Sequence, residues 1–163
     1  MRPKPIVAKL DQESVWDYPR PPGIEQSDDS IEIHFKGVLI ASTQRAIRIL
    51  ETSHPPTYYL PPEDIQMQYL QTASGSSLCE WKGKAAYFNL ELAEITISHV
   101  AWSYQNPTAR FQSITNFLAF YPSKVDCYLN GEHVQAQASG FYGGWITNKI
   151  VGPFEGEPGT RFW

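Results

Sequence analysis

The sequence is poor in cysteine and contains no long apolar run. Cys79 and Cys127 are its only cysteines, so it lacks the paired Cys-x-x-Cys spacing of a zinc knuckle and the cysteine density of a disulfide scaffold. The first residues, MRPKPIVAKL, lack the apolar region of a secretory signal, and no stretch is long enough to span a membrane. We therefore expect free thiols, a cytoplasmic location, no metal or other cofactor, and no membrane partner.

Positive charge is scarce as well. Charged residues make up 18% of the 163 residues, the formal net charge is −4, and no basic run exceeds two residues. Since phosphate binding requires a clustered basic face, we expect no nucleic-acid partner. The sequence also lacks the glycine-rich fingerprints of phosphate and dinucleotide sites and the serine elbow of hydrolases. No common enzyme motif is therefore present from which a reaction can be named.

Aromatic residues and prolines, in contrast, are abundant. Aromatics reach 13% and there are 13 prolines, a composition that suits short strands and rigid turns rather than long helices. Ile31, Ile33 and Phe35 alternate with polar residues, which indicates a strand with one buried face. Asn130-Gly131 favours the type I′ turn of a tight hairpin. The sequence therefore predicts a compact, antiparallel, all-β domain with little helix.

The length of the chain favours one domain, and we predict three parts along it. Residues 1–29 form a proline-rich, extended arm, which Trp16 and Tyr18 are expected to anchor. Residues 30–136 form the β core. Residues 137–163 form a segment rich in glycine and aromatic residues that packs on this core.

Three local segments have specific interpretations. Residues 42–52 fit either a short capped helix or a turn followed by a strand, and the alternation of Ile47 and Ile49 favours the strand. Pro62 is expected to open a single helical turn, because proline suits the first helical position. Gly143-Gly144 is expected to let the backbone approach its neighbours closely.

Four residues are candidates for acid–base or nucleophilic chemistry: Cys79, Lys82, Asp64 and His54. A cation such as Lys82 near Cys79 lowers a thiol pKa. We expect residues 79–82 to be part of a strand, however, so that the two side chains point to opposite faces, which favours a structural Cys79. His54 lies in a loop beside tyrosines, where a role as acid or base competes with the somewhat favoured role of capping a turn. Asp64 is favoured as a carboxylate in the first turn of a helix.

Aromatic side chains form the richest candidate site. Aromatic walls with a few polar groups are typical of small-molecule pockets, and they are equally typical of a β core. Lys82 or Arg48 would supply positive charge for an anionic ligand group, with Cys79 at the wall. The aromatic residues of this predicted pocket are Trp81, Tyr87, Trp102, Tyr104 and Tyr121.

Four segments, in order LETSHPPTYYLPPEDI, CEWKGKAAYF, AWSYQNP and FLAFYPSKVD, resemble the domain-of-unknown-function family number 427, which some catalogues label nucleotidyltransferase-like. The resemblance spans about residues 31–134, and the flanks ESVWDYPRPP and GFYGGWITNKIVGPF resemble the version common in cyanobacteria. It implies a small cytosolic β domain of the β-tent type, similar to Mss4-like folds but without their zinc knuckles. The positions that match its motifs are Glu51, Tyr59, Asp64, Cys79, Trp81, Lys82, Tyr87, Trp102 and Tyr104.

Three hypotheses for the function follow. The first is a domain that binds a small molecule, such as one with an anionic group, in an aromatic pocket, with or without catalysis. The second is a non-catalytic interaction module whose partner is another protein or a second copy of the chain, which would make it a homo-oligomer. Nucleotidyl transfer is a weaker third, because the sequence lacks the paired carboxylates that hold Mg²⁺ on a nucleotide.

Overall fold

The computed structural model describes residues 2–139, 141–160 and 163, and its secondary structure is mainly strand. This confirms the predicted all-β class, while the β-tent arrangement within that class stays a prediction. Within the described residues the helices are short 3₁₀ segments, and none is long or apolar enough to cross a bilayer. The strands are β1 Glu13–Ser14, β2 Gly23–Gln26, β3 Ile31–Phe35, β4 Val38–Thr43, β5 Ile47–Leu50, β6 Thr57–Tyr59, β7 Leu70–Cys79, β8 Gly83–Leu92, β9 Ile95–Ser103, β10 Leu118–Phe120, β11 Asp126–Leu129, β12 Glu132–His133, β13 Gln135–Ala136, β14 Trp145–Ile146 and β15 Ile150–Val151.

The first sheet has the strand order β12-β11-β3-β4 and contributes to the largest apolar core. Ile31, Ile33 and Phe35 of β3 are buried, which confirms the predicted alternation. β11 and β12 form the predicted hairpin, in which Asn130 and Gly131 have φ values of 50° and 83°. These positive values are those that a type I′ turn requires.

The second sheet has the order β10-β9-β8-β7, and its longest strands form an antiparallel meander. The third sheet, β2-β5-β6, contains the strand predicted for residues 47–50, so the alternative of a helix there is wrong. Ile47 and Ile49 of the third sheet share an apolar cluster with Trp102 of the second. The two sheets therefore pack against each other, and the edge strand β6 lies at this junction.

The segment after β6 forms the single helical turn that the sequence predicts. A 3₁₀ helix covers Pro62–Asp64, with proline at its first position and acidic residues in its first turn. Proline has no N–H to leave unsatisfied there, which explains why the helix begins where it does.

The first and last parts of the chain are joined by a short parallel pairing between β1 and β15. Trp16 and Tyr18 are only 6% and 8% exposed, and they pack with Val15 and Ile150 in a small separate core. The indole Nε1 of Trp16 donates a hydrogen bond to the carbonyl of Pro153 over 2.9 Å. Trp16 and Tyr18 thus fix this part of the chain to its last part.

One local prediction is wrong: residues 79–82 do not continue as a strand. β7 ends at Cys79, which pairs with Gly83 at the start of β8, and the residues between them form a turn. Gly83 has φ of 110°, and the loop that carries Thr108 holds the turn by hydrogen bonds to the carbonyls of residues 81 and 82. The alternation of side chains between two faces therefore does not apply to Cys79 and Lys82.

Candidate functional site

A cavity of about 260 Å³, here called the cleft, lies where the second and third sheets meet, and residues 137–155 contribute one of its sides. Leu78 and Phe141 lie at its rim, with 80% and 58% of their surface exposed. Its aromatic lining includes Tyr59, Tyr87, Trp102, Tyr104 and Tyr121. Its polar lining includes Arg20, Glu51, His54, Lys82, Gln137 and Glu155.

Trp102 is the centre of the aromatic lining. Its ring centroid lies 4.6 Å from that of Tyr121 and 6.1 Å from that of Tyr59, and its Nε1 donates to the Tyr59 hydroxyl over 3.3 Å. Burial raises the pKa values of Tyr59, Tyr104 and Tyr121, so these phenols are neutral at physiological pH. The lining thus combines flat apolar faces with neutral hydroxyl groups that can donate or accept hydrogen bonds.

The turn after β7 brings Cys79 and Lys82 to the same cleft. The ammonium of Lys82 lies 5.9 Å from the ring centroids of both Tyr104 and Phe111. Among the described residues, no carboxylate lies within 4 Å of it. Cys79 is a half-buried free thiol that lines the same cleft, whereas the free thiol of Cys127 is fully buried in the main core.

Arg20 and Glu51 form an ion pair in the cleft. The guanidinium Nε lies 3.6 Å from Glu51 Oε2, and another guanidinium nitrogen donates to the carbonyl of Thr52 over 2.8 Å. Burial raises the pKa of the Glu51 carboxyl, while Lys82 and Arg20 act in the opposite direction and Glu155 adds to the rise. Glu51 therefore lies within the electrostatic reach of both Lys82 and Glu155.

A buried polar network links His54, Gln137 and Glu155. The Gln137 side-chain amide donates to the Glu155 carbonyl over 2.6 Å and faces His54 Nδ1 over 3.1 Å, while its oxygen accepts from the Gly144 N–H over 3.2 Å. Since Nδ1 faces a donor, it must accept, and the ring proton is on Nε2, which lies 3.4 Å from a Glu155 carboxylate oxygen. Both ring nitrogens of His54 are therefore engaged by the protein.

This network keeps His54 neutral. Burial lowers the pKa of His54 to about 4, with Arg20 and Lys82 acting in the same direction. A second ring proton would also meet the Gln137 amide donor, which disfavours protonation at Nδ1. His54 is thus unsuited to accept a proton from a ligand, and its geometry fits a structural role.

We expect acidification to destabilise the protein through His54. Because its pKa in the folded protein lies below the ordinary value, its contribution to stability is complete above about pH 6.5 and is lost as the pH falls towards about 4. Between pH 7.5 and pH 5 this group should remove about 2 kcal/mol from the free energy of unfolding. Urea unfolding at both pH values should show a correspondingly smaller loss for His54→Asn, whose side chain does not titrate. Equal losses in the wild type and the variant would contradict the assignment.

Three residues that the sequence analysis placed among the site candidates lie outside the cleft. Arg48 is 13% exposed and contacts Glu13 and Glu25 over 2.8 and 2.7 Å, and hydrogen bonding to Glu13 raises its pKa. Asp64 accepts hydrogen bonds from Arg45 and Thr43, which lower its pKa. Trp81 lies on the turn and packs against the outside of the apolar cluster around Trp102. The other candidates, Glu51, His54, Tyr59, Cys79, Lys82, Tyr87, Trp102, Tyr104 and Tyr121, line the cleft.

The sequence analysis did not identify Arg20, Gln137 and Glu155, which belong to the polar lining. Arg20 lies in the proline-rich arm, and the other two lie in the segment after the core. No motif or spacing marks them, because they reach the cleft only through the packing of both flanks on the third sheet. Glu155 is held by its backbone N–H, which donates to the carbonyl of Ser53 over 2.8 Å.

At the edge of the cleft, Gly143 lets the backbone approach a neighbouring side chain closely, as the sequence analysis predicts. A side chain at Gly143 would place its Cβ 2.6 Å from Cζ3 of Trp102, so only glycine permits this approach.

In the described part of the chain, no group of three or more histidine, cysteine, aspartate or glutamate residues is arranged to hold a metal ion.

Comparison with known proteins identifies the family of the chain. A search of curated proteins found no match. A family model, described as domain of unknown function (DUF427), matches residues 23–131, which include Glu51, Lys82 and Trp102 but not Arg20 or Glu155. The match covers well over half of the chain and agrees with the four sequence segments that carry the resemblance. The protein therefore belongs to the DUF427 family.

Proposed function

We propose that the cleft binds a small, flat molecule that has an aromatic ring and an anionic group. The observation that carries the proposal is the position of Lys82: its ammonium lies beside the aromatic lining, and no carboxylate of the described residues lies within 4 Å of it. A cation in such a place attracts an anion more strongly than one on an open surface, because the surrounding rings displace water.

The shape and the chemistry of the lining support the aromatic part of the ligand. Trp102, Tyr59 and Tyr121 present ring faces and edges at distances typical of aromatic contacts. The volume of about 260 Å³ lies just below the range of about 300–1,000 Å³ of most ligand pockets, which favours a small molecule. Indole-3-propionate and 3-phenylpropionate combine a flat ring with one carboxylate and are suitable probes.

We expect Lys82→Ala to weaken the binding of indole-3-propionate by about tenfold, because the variant removes a charge-assisted hydrogen bond. Isothermal titration calorimetry at pH 7.5 measures the dissociation constant directly. Lys84→Ala is the matched control: Lys84 is exposed on β8, two positions away, and does not line the cleft.

The control variant should bind with the affinity of the wild type. Equal weakening by the two variants would show that the effect is one of net charge rather than of the cleft. If neither indole-3-propionate nor 3-phenylpropionate binds the wild type at millimolar concentration, the proposed function is wrong.

A further inference from the structure

Glu155 is a buried carboxylate whose neighbours are neutral. Its side chain is 7% exposed, and its carboxylate accepts a hydrogen bond from the Ser53 hydroxyl over 2.9 Å. The other neighbours are His54 Nε2 at 3.4 Å, whose ring is kept uncharged by burial, and the Tyr142 hydroxyl, whose pKa is raised by burial and by Glu155. Hydrogen bonds of this kind satisfy the oxygen atoms but do not neutralise the charge, and a buried charge without an opposite charge is costly.

The charges in the lining can be matched one by one. Arg20 lies 3.6 Å from Glu51. The other two charged residues of the lining are Lys82 and Glu155, and among the described residues neither has an opposite charge within 4 Å. They have opposite signs, they line the same cavity, and both act on the Glu51 carboxyl. The cleft thus presents to whatever occupies it one cation and one anion that are not in a contact ion pair within the described residues.

We infer that the occupant of the cleft is amphoteric: an aromatic amino acid, or an aromatic acid of similar size that carries a protonated amine. Its carboxylate binds at Lys82, its ring lies against the aromatic lining, and its ammonium binds at Glu155. This inference rests on the proposed function and extends it by a second recognition point. It accounts for the charge of Glu155, which the binding of a simple aromatic acid does not balance.

A ligand ammonium suits this position better than a metal ion or a second protein cation. Within the described residues the surroundings of Glu155 offer no set of ligands for a metal, and the Arg20 guanidinium is already bound to Glu51 and to backbone carbonyls. The Tyr142 ring packs edge-on against His54 with centroids 4.7 Å apart, and burial and the charge of Glu155 raise the pKa of the Tyr142 hydroxyl. This neutral hydroxyl can hydrogen-bond to the carboxylate but cannot balance its charge, whereas a ligand ammonium can.

A matched pair of probes tests the inference without any mutation. L-tryptophan differs from indole-3-propionate only by its α-ammonium, and L-phenylalanine differs from 3-phenylpropionate in the same way. Calorimetry at pH 7.5 on the wild type should show that the amino acid of at least one pair binds about tenfold or more tightly than its partner acid.

A variant then tests whether Glu155 is responsible for the tighter binding of the amino acid. Glu155→Gln keeps the size of the side chain and removes its charge, so it should weaken the binding of the amino acid about tenfold and change that of the partner acid less than twofold. Glu157→Gln is the matched control, since Glu157 is exposed on the same segment and does not line the cleft. It should leave the binding of both probes unchanged.

The outcomes separate the inference from the proposed function. If an aromatic acid binds but neither amino acid binds more tightly than its partner acid, the inference is overturned and the proposed function stands. Suppose that the amino acid binds more tightly than its partner acid to the wild type. If Glu155→Gln, shown to be folded by circular dichroism, binds the two probes with the same difference in affinity, the inference is overturned as well. If Glu155→Gln does not fold, the comparison of the two probes on the wild type decides. If no aromatic acid binds, the proposed function fails and the inference fails with it.

Discussion

Trp102→Ala should lower the free energy of unfolding by about 3–5 kcal/mol and abolish the binding of indole-3-propionate. The indole of Trp102 is 8% exposed and contacts Tyr59, Tyr121 and the backbone at Gly143. Its removal leaves a void that these rigid neighbours cannot fill, and it takes away the centre of the aromatic lining. Urea unfolding measures the first effect and calorimetry the second.

Trp81→Ala is the matched control for this substitution. Trp81 is a half-buried tryptophan on the turn next to the cleft, and it does not line the cavity. Because less of its surface is buried, its loss should cost about 1–2 kcal/mol and leave the dissociation constant of indole-3-propionate unchanged. Equal losses of stability in the two variants, or loss of binding in both, would show that the role given to Trp102 is wrong.

Gly156→Ala should destabilise the protein by about 3 kcal/mol or more and displace Glu155 from the cleft. Gly156 has φ of 127°, a conformation that side chains other than that of glycine rarely adopt. An added Cβ would also overlap the carbonyl oxygen of Ala138, and its distance to the carbonyl carbon would be 3.1 Å. A backbone group cannot move aside as the end of a flexible side chain can, so the segment itself would have to shift.

Gly159→Ala separates the effect of backbone strain from the effect of the contact with Ala138. Gly159 also has a positive φ, 89°, but no atom lies within 4 Å of an added Cβ. This variant should therefore show only the backbone strain, about 1–2 kcal/mol, and should bind indole-3-propionate and L-tryptophan like the wild type. Equal destabilisation by the two substitutions in urea would mean that the contact between Gly156 and Ala138 is unimportant.

The sequence was sufficient to predict the parts of the fold that depend on local patterns. The alternation of Ile31, Ile33 and Phe35 has the period of a strand with one buried face, and Asn130-Gly131 has the conformational freedom that its turn requires. No such pattern marks β7, because Thr72 to Ser77 are small or polar and the pairing with β8 shifts register there. β7 is therefore a strand because it pairs with β8, and its own sequence does not indicate one.

The candidate site was predicted only in part, and the reason is physical. Tyr87, Trp102, Tyr104 and Tyr121 were expected because aromatic walls with a few polar groups are typical of small-molecule pockets, and Tyr59 was expected because it matches a motif of the family. The relation of Cys79 to Lys82 was predicted wrongly, since the turn depends on hydrogen bonds from the distant Thr108 loop. Arg20 and Glu155 are brought to the cleft by the packing of two flanking segments, and neither local propensity nor spacing encodes such packing.

The segment that matches the family model supplies only part of the cleft. This affects how far a ligand assigned to one family member can be assigned to another. The segment 23–131 carries Lys82 and Trp102, whereas Arg20, Gln137 and Glu155 lie outside it. Under the proposed function, a relative with the same central segment but different flanks would keep the residues proposed to bind a carboxylate and a ring, and it would lack the residue proposed to bind an ammonium. A ligand assigned to one family member on the central segment alone would therefore rest on only part of the proposed binding site.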